Sequence, residues 1–103
     1  MSKLYHLSDF LTEFAYRAEE GDTVLSLSER FSTTPTRIIL SNGLTEELKA
    51  GEIVKIEKID GTPYIVRPSD TLESLSGYNE EKRREIMNKN KTDYIFVGQK
   101  IYI

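Results

Sequence analysis

Tyr16-Arg17-Ala18-Glu19-Glu20-Gly21-Asp22-Thr23-Val24, with Ser26-Leu27-Ser28 one residue further on, recurs as Tyr64-Ile65-Val66-Arg67-Pro68-Ser69-Asp70-Thr71-Leu72 with Ser74-Leu75-Ser76. The spacing that carries Asp22 to Asp70 also carries Ile38 to Ile86, Ile39 to Met87 and Asn42 to Asn90. Gly51 to Gly98 and Ile56 to Ile103 keep a spacing one residue shorter, as a single deletion between the Asn and the Gly would leave. One offset held across most of two segments marks a duplication. The chain therefore divides into an N-terminal extension over 1–13, a first module over 14–58, a linker over 59–63 with Asp60-Gly61 as its turn signal, and a second module over 64–103.

Both copies carry the same internal order. Phe14, Tyr16 and Ala18 alternate with polar residues, as do Tyr64 and Val66, which predicts half-buried strands. A helix follows, for which Asp22 or Thr23, and Asp70 or Thr71, can accept bonds from the unpaired amides of the first turn. Val24, Leu27 and Phe31, and Leu72 and Leu75, then share a helical face, and Gly77 is a natural stop for the first helix of copy two. A second helix is predicted behind Thr34-Pro35 in copy one and behind Asn79-Glu80-Glu81 in copy two, with Ile38, Ile39 and Ile86, Met87 as its apolar face. Gly51 before Val54 and Ile56, and Gly98 before Ile101 and Ile103, open a closing strand. Strand, helix, helix, strand in so short a length predicts an α+β fold, two tandem βααβ modules, each a two-stranded antiparallel sheet with both helices packed on one face.

This order resembles the LysM family: an aromatic strand start, a Gly-Asp-Thr turn, a leucine-bearing short helix, an Asn after the second helix and a Gly-Gln-x-Leu/Ile-x-Ile ending. Copy one matches at Tyr16, Gly21, Asp22, Thr23, Leu27, Asn42, Leu48, Gly51, Val54 and Ile56. Copy two matches at Tyr64, Val66, Asp70, Thr71, Leu72, Leu75, Asn90, Ile95, Gly98, Gln99, Ile101 and Ile103. Copy one departs at Ala18, where valine is usual, and at Glu52, which replaces the closing glutamine; copy two replaces the turn glycine with Ser69.

The resemblance implies a non-catalytic protein that binds N-acetylglucosamine-containing glycans, peptidoglycan ahead of chitin. The implied groove lies between the loop opening helix one and the loop joining helix two to strand two. In copy one that implicates Gly21, Asp22, Thr23, Val24 with Asn42, Gly43, Leu44, Thr45. In copy two it implicates Ser69, Asp70, Thr71, Leu72 with Asn90, Lys91, Thr92, Asp93. Backbone amides and small polar side chains suit acetamido and hydroxyl groups, and apolar side chains suit the C–H face of a sugar. Many of these residues have structural work as well: the Asp and Thr pairs as caps, Asn42-Gly43 as a helix end. Of the sixteen, Val24, Leu44, Thr45, Leu72, Thr92 and Asp93 have the least obvious structural explanation. The intact Gly-Asp-Thr turn favours copy one as the better sugar binder.

Composition narrows the alternatives. The 103 residues carry a net charge of −3, with 38% hydrophobic and 30% charged residues, so the chain has no electrostatic reason to condense on nucleic acid. Lys82-Arg83-Arg84 is flanked by Glu80, Glu81 and Glu85, the pattern of a solvated helix face. There are no cysteines, hence no disulfide, thiolate metal site or thiol nucleophile. With one histidine, His6, a Ser/His/Asp site has little to build on, and 17 acidic residues place some pair at glycosidase spacing by chance alone. No cofactor or metal motif is present. Nothing approaches a membrane span, and Met1 to Glu13 lacks the continuous apolar core of an export signal.

Leu4, Leu7, Phe10, Leu11 and Phe14 are spaced like one apolar helix face, a candidate surface for a protein partner. That face and the missing export signal motivate an alternative role, protein assembly in a spore layer or a phage-tail-like particle. The expected location is the cell wall or spore surface if the protein reaches its glycan, and the cytoplasm otherwise.

Overall fold

Thr23 and Thr71 each start a helix with the same reciprocal pair of bonds. The Thr23 hydroxyl accepts from the Ser26 amide at 3.0 Å while the Ser26 hydroxyl accepts from the Thr23 amide at 3.0 Å. Thr71 and Ser74 repeat this at 2.9 and 3.0 Å, so two otherwise unpaired amides are satisfied at each helix start. The threonines are the caps; Asp22 and Asp70, the other candidates, are turned elsewhere.

A computed structural model describes residues 11–103, and the apolar positions Leu4, Leu7 and Phe10 and the lone His6 lie outside them. The elements run β1 (Glu13–Arg17), α1 (Val24–Arg30), α2 (Pro35–Asn42), β2 (Ile53–Glu57), β3 (Pro63–Ile65), α3 (Leu72–Leu75), α4 (Glu80–Asn90) and β4 (Lys100–Tyr102). The chain divides after Lys58 into two compact units. β1 pairs antiparallel with β2, from Glu13 opposite Glu57 to Arg17 opposite Ile53. β3 pairs antiparallel with β4, from Pro63 opposite Tyr102 to Ile65 opposite Lys100. This is the α+β arrangement expected, with β1 and β3 each starting one residue before the predicted Phe14 and Tyr64. Pro63 can open β3 because a first strand position does not need its N–H in the ladder.

β1, β2 and β3 alternate exposed residues with buried or half-buried ones, β4 buries both Ile101 and Tyr102, and the helices cover the inward side chains. In the first unit Leu27, Ile38, Val54 and Ile56 form the core, flanked by Phe14, Tyr16, Val24, Phe31, Leu44 and Leu48. In the second, Val66, Leu72, Ile86 and Ile101 do so, flanked by Tyr64, Leu75, Met87, Ile95 and Ile103. Ile39, assigned from sequence to the inner face, is instead exposed. Successive helical residues diverge by about 100°, and Ile38 takes the inward direction.

The copies partition their helices differently. Phe31 ends α1 and meets Phe14 and Tyr16 edge-on, with ring centroids 5.0 and 5.2 Å apart. At the matching position stands Asn79, whose side chain accepts from the Lys82 amide at 2.8 Å and caps α4. So α4 begins earlier, and α3 stops at Leu75, with Gly77 just past its end at φ 66°.

The two recurring asparagines join helix to sheet. Asn42 donates from its amide to the carbonyls of Ile38 at 2.8 Å and Lys55 at 2.9 Å, and accepts from the Lys55 N–H at 2.7 Å. Asn90 does the same with Ile86, Tyr102 and the Tyr102 N–H, each at 2.8 Å. Each side chain thus pairs with a strand backbone as a neighbouring strand would. Ser41 and Arg37 add to the first junction: both bind the Glu57 carboxylate, Arg37 at 3.2 Å, and the Ser41 hydroxyl is the main reason that carboxyl is held below its ordinary range.

Asn90 is buried and holds three backbone groups, so Asn90→Ala should destabilise the second unit by about 3 kcal/mol, measured by chemical denaturation. Asn90→Asp should not rescue it, since a carboxylate has no donor for the two carbonyls. The residue after each asparagine is left-handed: Gly43 at φ 61° and Lys91 at φ 55°. Lys91→Gly should therefore stabilise the second unit by about 0.5–1 kcal/mol, read as slower exchange of its core amides.

Candidate functional site

Between β1 and α1 the chain turns at Glu19 to Asp22, closed by the Asp22 N–H on the Glu19 carbonyl at 3.0 Å with Gly21 at φ 88°. The second unit makes the equivalent turn from Arg67 to Asp70, also at 3.0 Å, but with Pro68 before Ser69 and without a positive φ at Ser69. A proline at the second position of a turn suits the type that needs no left-handed residue at the third. Ser69 is therefore no defect; the second copy makes another kind of turn.

The aspartates close these turns a second time. Asp22 accepts from the Tyr16 hydroxyl at 2.7 Å and the Glu19 amide at 2.8 Å. Asp70 accepts from the Tyr64 hydroxyl and from the Arg67 amide at 2.7 Å. Donors aimed at a carboxylate favour its charged form, so both aspartates titrate below the ordinary value, Asp22 chiefly through Glu19 and Asp70 chiefly through Tyr64. The tyrosines move up, Tyr16 mainly by burial and Tyr64 mainly by its bond to Asp70.

Of the residues expected from this loop, Thr23 and Thr71 are committed to capping, and Val24 and Leu72 pack into their cores. The helical face expected for Val24 and Leu72 is the one that packs inward, and Leu44, for which the sequence offered no clear structural role, joins them. All three fill core edges, because a unit this small draws even its loop-flanking apolar residues inward.

The α2–β2 loop carries a concave surface. Gly43 and Leu44 both donate to the Ile39 carbonyl, ending the helix and turning the chain out. Beyond them lies a groove of about 470 Å³ lined by all four expected residues, Asn42, Gly43, Leu44 and Thr45, together with Glu46, Glu47, Lys49 and Glu52. None of Gly21, Asp22, Thr23 or Val24 lines it. The loop ends in a turn with Gly51 at φ 91°, in which Glu52 donates from its amide to the Lys49 carbonyl at 3.1 Å and accepts the Lys49 amide on its carboxylate at 3.0 Å. Gln99 closes the matching turn on Phe96 at 3.1 and 2.9 Å. Glu52 thus performs the task of the glutamine it replaces, because the task needs only a side-chain oxygen.

In the second unit Asn90 is buried in the junction, and Lys91 and Thr92 both donate to the Met87 carbonyl. The Thr92 hydroxyl folds onto the backbone of Tyr94, donating to its carbonyl at 2.8 Å and accepting its N–H at 3.3 Å; Asp93 is exposed. Three residues that sequence reasoning passed over stand out here: Tyr94, Phe96 and Val97 are 67%, 58% and 60% exposed. Their signal was the apolar run Tyr94-Ile95-Phe96-Val97, longer than the single core contact at Ile95 requires. Among the described residues no group of three His, Cys, Asp or Glu is placed to hold a metal ion, and no helix is long and apolar enough to cross a membrane.

The LysM domain family model matches residues 16–57. No curated protein matches the chain. Among solved structures, the chain is similar to the Bacillus cereus spore cortex-lytic enzyme SleL, at 28% identity over 90% of this chain and 23% of that one, with a TM-score of 0.45. It is also similar to the Bacillus megaterium QM B1551 spore cortex-lytic enzyme SleL, at 26% identity over 89% and 22%, with a TM-score of 0.43. The chain thus spans less than a quarter of the length of either enzyme.

The tyrosine–aspartate bonds should limit stability at both ends of the pH scale. The aspartates' folded values lie below the ordinary 3.8, so their contribution is present above that pH and lost as pH falls through the folded values. The tyrosines' lie above the ordinary 10.0, so theirs is present below that pH and lost as pH rises further. Thermal melts across both limbs should show the acid limb flattened in an Asp22→Asn, Asp70→Asn variant and the alkaline limb flattened in a Tyr16→Phe, Tyr64→Phe variant. Unchanged limbs would show that these bonds do not govern the fold's pH range.

Proposed function

We propose that the chain, whose residues 16–57 match the LysM domain family model, is a non-catalytic binder of N-acetylglucosamine-containing glycans, peptidoglycan ahead of chitin, and that both units take part. LysM domains bind such glycans as a class and are binding modules, not catalysts. The observation that carries the proposal is the coincidence of that domain with an open groove at the end of α2, lined by Asn42, Gly43, Leu44 and Thr45. A shallow polar groove of this kind suits a polymer chain that runs on past the protein.

The first-loop residues serve the site indirectly: Asp22 and Thr23 hold the turn, and Val24 seats it on the core. The second unit repeats the element order, the capping pair, the asparagine junction and the closing turn, which supports reading residues 64–103 as a second LysM-like module. Two weak sites on one chain gain on a polymer through effective concentration without any new contact.

A sedimentation assay of the full chain tests the proposal, with insoluble peptidoglycan, chitin and, as the control, cellulose. Retention is expected on the two acetylated polymers and not on cellulose, with no soluble sugar released. Failure on both acetylated polymers would overturn the glycan reading and return attention to a protein-assembly role.

A further inference from the structure

The loops that match each other in the two units have diverged in chemistry at their outer positions. Aligned on Gly51 and Gly98, the places of Tyr94, Phe96 and Val97 hold Glu47, Lys49 and Ala50 in the first unit. The first unit therefore presents charge at the groove and the second presents aromatic surface, with no charged residue from Tyr94 to Gln99. We propose that Tyr94 and Phe96 form an aromatic platform on which the second unit stacks the apolar face of a sugar ring of the glycan. The inference rests on the glycan reading above and names how this unit would recognise its ligand.

Burial and hydrogen bonding along the loop carry the argument. Ile95 packs against the core, while its neighbours on both sides are largely exposed. The backbone on each side is held: Tyr94 by the Thr92 hydroxyl through both its N–H and its carbonyl, and Phe96 by Gln99 through both of its own. The rings therefore sit on a segment fixed before any ligand arrives, which lowers the ordering cost of binding. Exposing Tyr, Phe and Val together on so small a unit forgoes burial that the core would otherwise gain, and such exposure marks a contact surface.

The neighbours of the rings decide for a sugar as occupant. A pyranose in its chair form has a face of axial C–H groups and a rim of equatorial hydroxyl and acetamido groups. The platform supplies aromatic faces for the first, and exposed Asp93, directly before Tyr94, supplies an acceptor for the second. This surface continues the Asn90-to-Asp93 loop already proposed to meet the glycan. Because the platform is uncharged, its contribution should be nearly independent of salt.

The test is a residue-resolved NMR titration of the full chain with the N-acetylglucosamine tetramer, comparing wild type with a Tyr94→Ala, Phe96→Ala variant and with Phe96→Tyr. The exposed positions allow the fold to persist, checked by unchanged core amide shifts. In wild type, amides of both units should titrate and ring protons of the sugar should move upfield, the mark of a stacked aromatic ring. In the double variant, affinity at the second unit should fall about tenfold and the upfield shift should vanish, while the first unit titrates as before and Phe96→Tyr binds like wild type. Equal affinity at the second unit in wild type and double variant would overturn the platform and leave the glycan reading intact, as would titration of the first unit alone. Titration of neither unit would overturn the glycan reading, and the platform with it.

Discussion

A two-stranded sheet has no interior strand, so half of each strand's backbone donors and acceptors must find partners outside the ladder. In both units one asparagine at the end of the second helix meets part of that constraint, for one residue of the closing strand. Asn42 pairs with both backbone groups of Lys55, and Asn90 with both of Tyr102. Each also reaches back to a carbonyl one turn earlier in its own helix, so helix end and strand are held in a single network. In units too small to bury much apolar surface, such a directed junction sets the distance from helix to sheet, and the core residues Ile38 and Ile86 fill what that distance allows.

The loops follow from this junction. Immediately after each asparagine the chain must leave the helix in a left-handed residue, and it does so through Gly43 or Lys91. From there it returns to the strand by a turn whose second closure is a side-chain oxygen, from Glu52 or Gln99. Both ends of the loop are fixed by hydrogen bonds that do not depend on what its middle residues are. Those residues are free to diverge, and they have: acids and lysine around the groove of the first unit, tyrosine, phenylalanine and valine in the second. A scaffold that isolates its variable positions in this way lets two units with the same element order present different surface chemistry.

The opposite loop is less free. Its aspartate is held between a tyrosine hydroxyl and a backbone amide, its threonine is spent on the capping box, and its last apolar residue lies in the core. The consequence is a division within each unit, with one loop that fixes the frame and one whose outer side chains are not tied up in it.

The element order and the caps at Thr34 and Asn79 were legible in the sequence because they rest on local physics: alternation, helical spacing, and the short side chains that suit a helix start. The α+β plan followed from those elements and their lengths. Which of Asp22 and Thr23 caps the helix was not legible, since both can accept the same bonds and only the position of Tyr16 draws the aspartate away. Nor was the equivalence of Glu52 and Gln99, or the absence of cost at Ser69, because each depends on how a turn is closed in three dimensions. The sixteen candidate site residues were assigned by position in a pattern, and pattern alone does not separate Val24, Leu44 and Leu72, which the cores draw in, from Thr45 and Asp93, which stay outside. Sequence by itself determined the units and their order, because periodicity and capping are properties of neighbours along the chain. Only the tertiary structure decided which loop forms the groove and which aromatic rings remain in water, because burial is settled by what else competes for the inside.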